Sequence, residues 1–258
     1  MFKRNKIIEN IFRFLFAIIL IVLFWEVLRF FCIRLFDIQK VFFPSTSEIL
    51  NTLYNYLLDI NFWIPFGNTL VKITISFLVV LMLSFAIGTF LGYKSKVYSL
   101  FRPFWDFLRS IPPATLFPIF LILIGLGDST KVIIAIYFAT LILSLNIADS
   151  LRHVIDNQNN IWENMKINKN DIFKFYLIPQ IINYLFSGLR ITGSLIVALI
   201  VIAEMYVGTE SGVGGAIVSA RDQYDWNKLY AFIVVTGFMG YFINQLIDLL
   251  YSKFKTNE

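Results

Sequence analysis

Two ionisable residues, Arg190 and Glu204, stand inside one long apolar run of the sequence. A charged side chain in the hydrocarbon of a bilayer is costly, so such residues pair with each other, reach a polar surface or line a path for a solute. Glu204 precedes the stretch YVGTESGVGG, and two interpretations stay open for it: a buried structural partner or a contact on a transport path. We expect Arg190 near a helix end, where it meets lipid phosphate or the last carbonyl groups of a helix.

The residues that enzymatic chemistry needs are scarce in this chain. A nucleophile needs a nearby base, and a catalytic metal needs several ligands. The sequence has one histidine, His153, one cysteine, Cys32, and no HExxH motif. The glycines at 208–215 lack the Gly-Lys-Ser/Thr of a phosphate-binding loop. We therefore predict a chain that is not an enzyme and that holds no metal and no cofactor.

The elements that carry these residues are predicted to be membrane-spanning helices. The chain is 58% hydrophobic and 15% charged, whereas soluble domains have roughly 25% charged residues. Its apolar residues come in blocks of about twenty, which is the length that a helix needs to cross a bilayer. We predict an all-α, polytopic membrane protein of about six transmembrane helices. The predicted spans cover residues 11–33, 68–93, 112–126, 132–150, 180–207 and 229–251.

The first apolar run is predicted to be a retained span, although a cleavable signal peptide is the alternative. Basic residues precede the run, but it is too long for a signal sequence and has no small-residue cleavage site. Basic residues concentrate on one side of the predicted topology, which places residues 1–10 and the tail 252–258 in the cytoplasm. We assign the net charge of +5 to orientation and to contact with anionic lipid, not to nucleic acid.

Two polar segments separate the predicted spans. Residues 34–67 form an outer loop, and Pro44 to Ser47 followed by Glu48 are typical of a helix start, so an amphipathic helix is expected there. Residues 151–179 form a cytoplasmic segment that is longer than a connection requires. Its short polar helix is either a solvated connector or a docking element for a soluble partner, and Pro179 re-aims the chain into the fifth span.

Small residues and prolines predict how the spans pack. Ser84, Gly88 and Gly92 are four apart, and the fifth span has Gly188, Gly193 and Ser194. Such residues let helix backbones approach closely, either within the chain, at a subunit interface or around a solute path. The prolines predict a helix on the cytoplasmic surface followed by a bent, broken span. They are Pro103, Pro112, Pro113 and Pro118.

Four stretches resemble a known family in the family's own order. They are FFPSTSEILNTL, NTLVKITISFLVVLMLSFAIGTFLGY, RSIPPATLFPIFLILIGLGDSTKV and FYLIPQIINYLFSGLRITGSLIVALIVIAEMYVGTESGVG. Together they cover about residues 40 to 250. The sequence resembles the membrane permease subunit of ATP-binding-cassette (ABC) importers of the nitrate/sulfonate/taurine group. The resemblance implies a type I ABC importer permease fold, with a core at 68–251 that contains five of the spans.

The resemblance also implies which residues act. A coupling helix near 160–172 would dock into the ATPase, through a family motif of Glu-Ala-Ala, three residues and glycine. Here Glu163 matches, Asn164 and Met165 replace the alanines, and no glycine follows, so we place Asn168 there. The expected coupling residues are Glu163, Asn164, Met165, Asn168, Asn170, Asp171, Ile172 and Pro179. The expected pore or packing residues are Pro112, Pro113, Pro118, Gly188, Arg190, Ser194 and Glu204.

The partners implied by the resemblance are a cytoplasmic ABC ATPase dimer, an extracytoplasmic solute-binding protein, a second permease copy and membrane lipid. The setting would be the bacterial inner membrane. The pore would import a small solute, such as nitrate, a sulfonate, taurine or a vitamin precursor, by alternating access. The alternative is a stand-alone secondary transporter or a membrane-embedded enzyme. A carrier would want intramembrane carboxylates or inverted repeats, and only Glu26 and Glu204 qualify.

Overall fold

The prediction of an all-α membrane protein is confirmed by a computed structural model, which describes residues 2–37, 39–164, 168, 171–208 and 211–255. The described residues contain helices and no strand. Over these described ranges there are nine α-helices: α1 (Phe2–Leu35), α2 (Thr46–Leu57), α3 (Ile60–Tyr93), α4 (Ser95–Ser110), α5 (Pro113–Ile124), α6 (Asp128–Asn164), α7 (Ile178–Tyr206), α8 (Val213–Asp222) and α9 (Trp226–Lys255). A 3-10 turn covers Lys40–Phe42, and a π-helical segment covers Ile172–Leu177.

Five of the described helices are long and apolar enough to cross a membrane. The candidate spans are Leu15–Leu35, Ile60–Tyr93, Asp128–Gln158, Phe175–Tyr206 and Trp226–Lys253. A sixth span results if α4 and α5, which meet at a bend of 92°, are counted as one. Ile111 and Pro112 have extended backbones at this bend, because the residue before a proline avoids the helical conformation.

The centre of the larger compact unit is built by α3, α6 and α7. This unit comprises Ile64–Ala216 and Val235–Glu258. A Cβ atom added to Gly88 would lie 2.7 Å from the carbonyl oxygen of Ser144, and one added to Gly92 would lie 3.0 Å from that of Ala148. Glycine is therefore what lets α3 approach the backbone of α6. On α7, a Cβ atom on Gly188 would lie 2.7 Å from Leu143 of α6.

The smaller compact unit comprises the chain up to Trp63 together with Ile217–Val234. Within it, α1 is tied to the start of α2 by polar contacts. Trp25 Nε1 donates to the carbonyl oxygen of Pro44 at 3.0 Å. Glu26 accepts hydrogen bonds from the backbone N–H and the hydroxyl of Thr46, both at 2.8 Å, and pairs with Arg29 at 3.3 Å. These contacts give Glu26 and Arg29 protein partners inside the first span.

Candidate functional site

A buried carboxylate at the end of α7 is the centre of the most polar site in the larger unit. Glu204 is only 1% exposed. Its two oxygens accept the hydroxyl of Thr69 at 2.8 and 2.9 Å, and Oε1 accepts Lys72 Nζ at 2.8 Å. Oε2 also accepts the backbone N–H of Gly214 at 2.9 Å. A carboxylate is stable in such a place only when it is paired and hydrogen-bonded, and Glu204 is both.

Lys72 of α3 is buried beside Glu204. In the sequence it lies one turn into the predicted span 68–93, and from such a position a lysine can extend its ammonium group to the membrane surface, which is what we expect from the sequence alone. That interpretation is wrong, because Lys72 is 3% exposed. Besides Glu204, its ammonium group reaches the carbonyl oxygen of Ser211 at 3.1 Å and Asp128 Oδ1 at 3.2 Å.

The first turn of α6 supplies a second cation and a second carboxylate. Lys131 is fully buried, and its Nζ donates to Asp128 Oδ1 at 2.9 Å and to Ser211 Oγ at 3.0 Å. Ser211 Oγ in turn donates to Asp128 Oδ1 at 2.9 Å. Two ammonium groups thus face two carboxylates. We call Lys72, Asp128, Lys131 and Glu204 the ion cluster.

The start of α8 closes the site with two backbone donors. The N–H groups of the first turn of a helix have no partner within the helix and carry partial positive charge. Here the N–H of Val213 donates to Thr69 Oγ1 at 2.8 Å, while that of Gly214 donates to Glu204. Glu204 therefore caps α8 as well as neutralising Lys72.

The groups packed around the Glu204 carboxylate require glycine at positions 212 and 214. Gly212 has φ +115°, which side chains rarely adopt, and a Cβ atom there would lie 2.0 Å from Glu204 Oε1. A Cβ atom on Gly214 would lie 2.3 Å from the carbonyl oxygen of Val201. The glycines that follow Glu204 in the sequence thus make room for its carboxylate and bring α8 against α7.

The arrangement is suited to holding helix ends together. It joins α3 to the start of α6, the end of α7 and the start of α8 through charged side chains, the hydroxyl of Thr69 and backbone groups of residues 211–214, so these elements can separate only if the charges part. A pocket of about 370 Å³ lies beside the ion cluster. Its lining residues are Asn68, Val71, Lys72, Ile75, Asp128, Ser129 and Val132. Among the described residues, no group of three His, Cys, Asp or Glu side chains is placed to hold a metal ion.

Two members of the ion cluster escaped the sequence analysis. Asp128 and Lys131 stand three apart at a helix start, a spacing that brings side chains onto one helix face, and this is the signal that could have found them. Lys72 has no such local signal, since its partner Glu204 is distant in sequence. Of the expected pore residues, only Glu204 belongs to the ion cluster.

Arg190 and Ser194 contact α9 instead. Arg190 Nε lies 2.5 Å from Asp248 Oδ1, and its guanidinium lies 5.9 Å from the ring centre of Tyr251. Ser194 Oγ accepts Asn244 Nδ2 at 2.8 Å. Arg190 and Glu204 are about 21 Å apart along α7, at 1.5 Å per residue. The structure thus gives Arg190 a carboxylate partner on a neighbouring helix, where the sequence suggested lipid phosphate or a helix end.

The expected prolines lie around α5. Pro112 precedes this helix and Pro113 begins it, at the 92° bend, while Pro118 lies inside it. Next to Pro118, Phe117 is buried and packs against Tyr206 with ring centres 5.4 Å apart. The prolines thus shape the element that packs near the end of α7.

The expected coupling residues fall in a part of the chain that is described only partly. The backbone of Glu163 and Asn164 continues α6, which ends at Asn164. This helix has 37 residues and is therefore about 55 Å long. The carbonyl oxygen of Asn168 accepts the N–H groups of Asp171 and Ile172, each at 3.0 Å. Pro179 is the second residue of α7. Met165 and Asn170 lie outside the described residues.

Comparisons with known proteins point to one family. Residues 81–256 match the family described as binding-protein-dependent transport system inner membrane component. The nitrate import permease protein NrtB of Leptolyngbya laminosa is 27% identical over 199 residues, which are 76% of this chain and 70% of that protein. NrtB of Synechocystis is 24% identical over 218 residues, with 81% and 79% covered. The bicarbonate transport system permease protein CmpB of Synechococcus elongatus is 22% identical over 186 residues, with 72% and 66% covered.

Proposed function

The chain belongs to the family of inner membrane components of binding-protein-dependent transport systems, and on that premise we propose that it forms the pore of an ATP-driven importer for a small anion. Five or six candidate spans support a multi-pass permease. The observation that carries the mechanism is the ion cluster, which joins α3 to the ends of three other helices by contacts that can be broken and remade. The chain itself does no chemistry.

The cluster supports an alternating-access mechanism in the following way. Transport requires at least two packings of the same helices, and a partner drives the change only if it binds the two packings with different affinity. A cytoplasmic ATPase dimer would supply that difference at residues 160–172, beyond the membrane-length part of α6. A solute-binding protein would supply it on the opposite side. The helices then rock as rigid bodies, with the ion cluster intact in one state and parted in the other.

The substrate class is proposed from the relatives. Two of them carry nitrate in their names and one carries bicarbonate, and both are small monovalent anions. We propose an anion of this kind, with sulfonates, taurine and vitamin precursors as the further substrates that the sequence resemblance implies. Two copies of the chain would form the pore, with both chain ends in the cytoplasm.

The experiment that tests this function combines recovery of partners with uptake. The chain is tagged and purified from its native membrane in mild detergent, and the proteins that accompany it are identified by mass spectrometry. We expect an ABC ATPase, which would be lost when Glu163 and Asp171 are both changed to lysine. ATP-dependent uptake of labelled nitrate and bicarbonate into vesicles should be lost in the same variant, because the docking charges are reversed.

A matched control variant separates the loss of docking from a general effect of reversing a charge on α6. Asp156 is an exposed carboxylate of α6 that pairs with Arg152 at 2.9 Å, so Asp156→Lys reverses a charge on the same helix outside the expected coupling residues. This variant should retain both the ATPase and uptake. Membrane insertion is checked for each variant by its amount in the membrane fraction. Uptake that continues undiminished in the Glu163→Lys/Asp171→Lys variant contradicts the docking role, and recovery of the chain without an ATPase in several detergents favours a stand-alone carrier.

A further inference from the structure

A pocket of about 300 Å³ opens in the smaller unit, between the second half of α1, the stretch before α2 and the start of α9. This volume is at the lower end of the range for small-molecule sites, roughly 300–1,000 Å³. The lining residues are Arg29, Lys40, Val41, Pro44, Glu48, Tyr224, Asp225, Trp226 and Asn227. The pocket thus brings together two cations, two carboxylates and two aromatic rings, and nothing in the transport mechanism uses them.

The two cations of this pocket have N–H groups left over that can donate hydrogen bonds to a ligand. Arg29 Nε donates to the carbonyl oxygen of Phe43 at 2.9 Å, and its Nη1 lies 3.3 Å from Glu26. A guanidinium has five N–H groups in a fixed fork, so these two contacts fix the side chain without exhausting its donors. Lys40 is exposed, and its ammonium group has no ion pair with any residue that the structure describes. Two cations beside one opening are suited to the oxygens of a phosphate.

The two carboxylates of this pocket likewise keep oxygen atoms that can accept hydrogen bonds from a ligand. Glu48 uses Oε2 to accept the backbone N–H and the hydroxyl of Ser45, at 2.6 and 2.8 Å. Asp225 uses Oδ1 to accept the backbone N–H of Lys228 at 3.0 Å, at the start of α9. Each carboxylate thus caps a helix with one oxygen, while the other oxygen takes no part in the cap. Two such oxygens beside an aromatic ring are suited to an ammonium group.

Trp226, which lines this pocket, begins the candidate span Trp226–Lys253, a position that favours the level of the lipid headgroups. Tryptophan and tyrosine concentrate where a membrane protein crosses the interface between hydrocarbon and water. Of the five tryptophans in the sequence, Trp25, Trp63 and Trp226 lie in this unit. Trp25 packs on Tyr230 with ring centres 4.8 Å apart, while Trp226 packs on Phe42 at 5.0 Å. Such amphipathic rings sit with one end in the hydrocarbon and the other among headgroups.

We propose that this pocket binds the headgroup of phosphatidylethanolamine, with the phosphate at Arg29 and Lys40 and the ammonium group at Glu48 and Asp225 against the ring of Trp226. A ligand with one sign of charge would meet two like charges here, whereas a zwitterion satisfies both pairs. The lipid ties α1 to the start of α9 at the interface. The site is independent of the transported substrate.

The test measures which lipid the intact protein retains. The protein is reconstituted into nanodiscs that contain equal amounts of phosphatidylethanolamine and phosphatidylglycerol, released into mild detergent and analysed by native mass spectrometry. The variant Lys40→Gln/Asp225→Asn removes one charge of each sign, and asparagine can still cap α9. The control variant Arg221→Gln/Asp222→Asn makes the same changes in an exposed pair joined at 2.9 Å, whose residues do not line the pocket. Free phosphoethanolamine is tested as a soluble competitor.

The expected result is preferential retention of phosphatidylethanolamine by the original protein and the control, and retention reduced at least tenfold in the pocket variant, because this variant loses one charge-assisted contact to the phosphate and one to the ammonium group. Equal retention of both lipids overturns the proposal, as does a pocket variant that behaves like the control. Displacement of the lipid by millimolar phosphoethanolamine would show that a soluble zwitterion is the ligand, which overturns the lipid assignment. Thermal unfolding of each variant checks that the smaller unit remains folded.

Discussion

Replacing Lys72 by methionine should be among the most destabilising changes in the larger unit. Methionine keeps an unbranched apolar stem but removes the cation, so the buried Glu204, at 1% exposure, loses its charged partner and keeps only Thr69 and Gly214 as donors. Breaking a buried ion pair from one side costs about 3–5 kcal/mol. Asp128 is affected less, since it retains Lys131 at 2.9 Å. At 1.4 kcal/mol per tenfold, the unfolding equilibrium should shift by about two to nearly four orders of magnitude.

The second half of this prediction concerns the double variant Lys72→Met/Glu204→Gln. Glutamine has an uncharged oxygen that can still accept the hydroxyl of Thr69 and the N–H of Gly214, so no buried charge is left without a partner. The double variant should therefore be more stable than Lys72→Met alone. The assay is reversible unfolding of the purified protein from mixed micelles with increasing SDS, followed by tryptophan fluorescence, for the parent, both single variants and the double variant.

The control for this cycle is the pair Arg109 and Asp106 of α4, the helix predicted to lie on the cytoplasmic surface; their side chains are 52% and 39% exposed. Because solvent screens such a pair, Arg109→Gln/Asp106→Asn should cost only about 0–1 kcal/mol. The reasoning is refuted if Lys72→Met costs no more than this control. It is also refuted if the losses from Lys72→Met and Glu204→Gln add in the double variant to within about 0.5 kcal/mol, the limit for independent sites.

Two further predictions follow from the same geometry. Gly212→Ala should displace the Glu204 carboxylate and reduce both uptake and the unfolding free energy, because the new Cβ atom would lie 2.0 Å from Oε1. The control is Gly208→Ala, since Gly208 also has a positive φ but a Cβ atom there would have nothing within 4 Å. Hydrogen bonds from Ser45 hold the pKa of Glu48 below its usual value. The ionised carboxylate therefore stabilises α2 when the pH is above the unfolded-state pKa of about 4.3, and this stabilisation is lost as the pH falls through the folded-state pKa. Hydrogen exchange of α2, corrected for intrinsic rates, should therefore accelerate on acidification in the parent, and a steep acceleration that persists in Glu48→Gln would contradict this cause.

Features that depend on neighbours along the chain could be predicted from the sequence. The helix start at 44–48 is one of these, since Ser45 and Glu48 form a capping box that accepts both backbone N–H groups. The bend at Pro112 and Pro113 is another, because proline restricts its own backbone and that of the residue before it. The all-α fold class follows from the length and the apolar character of the helices.

The ion cluster could be predicted only in part, because its members meet through tertiary packing. Lys72 precedes Glu204 by more than a hundred residues, and its position near the start of a span suggested a side chain that reaches the membrane surface. What keeps Lys72 inside is the buried carboxylate of α7 together with Ser211 in the segment before α8. A rule based on depth along one helix cannot find partners that other helices supply.

The two ways in which α3 meets α6 suggest where these helices can move. Near Gly88 and Gly92 the contact is one of backbone against side chain and backbone, at distances that leave no room for a Cβ atom. Near Lys72, about 24–30 Å away along α3, the contact is a set of charged side chains around Asp128. Close packing resists sliding and separation, whereas ion pairs can part when water replaces each partner. A rocking motion that preserves the glycine contacts would therefore open the helices at the ion cluster. Asp128 is already half exposed there, whereas the buried charges of Lys72, Lys131 and Glu204 oppose opening until water reaches them.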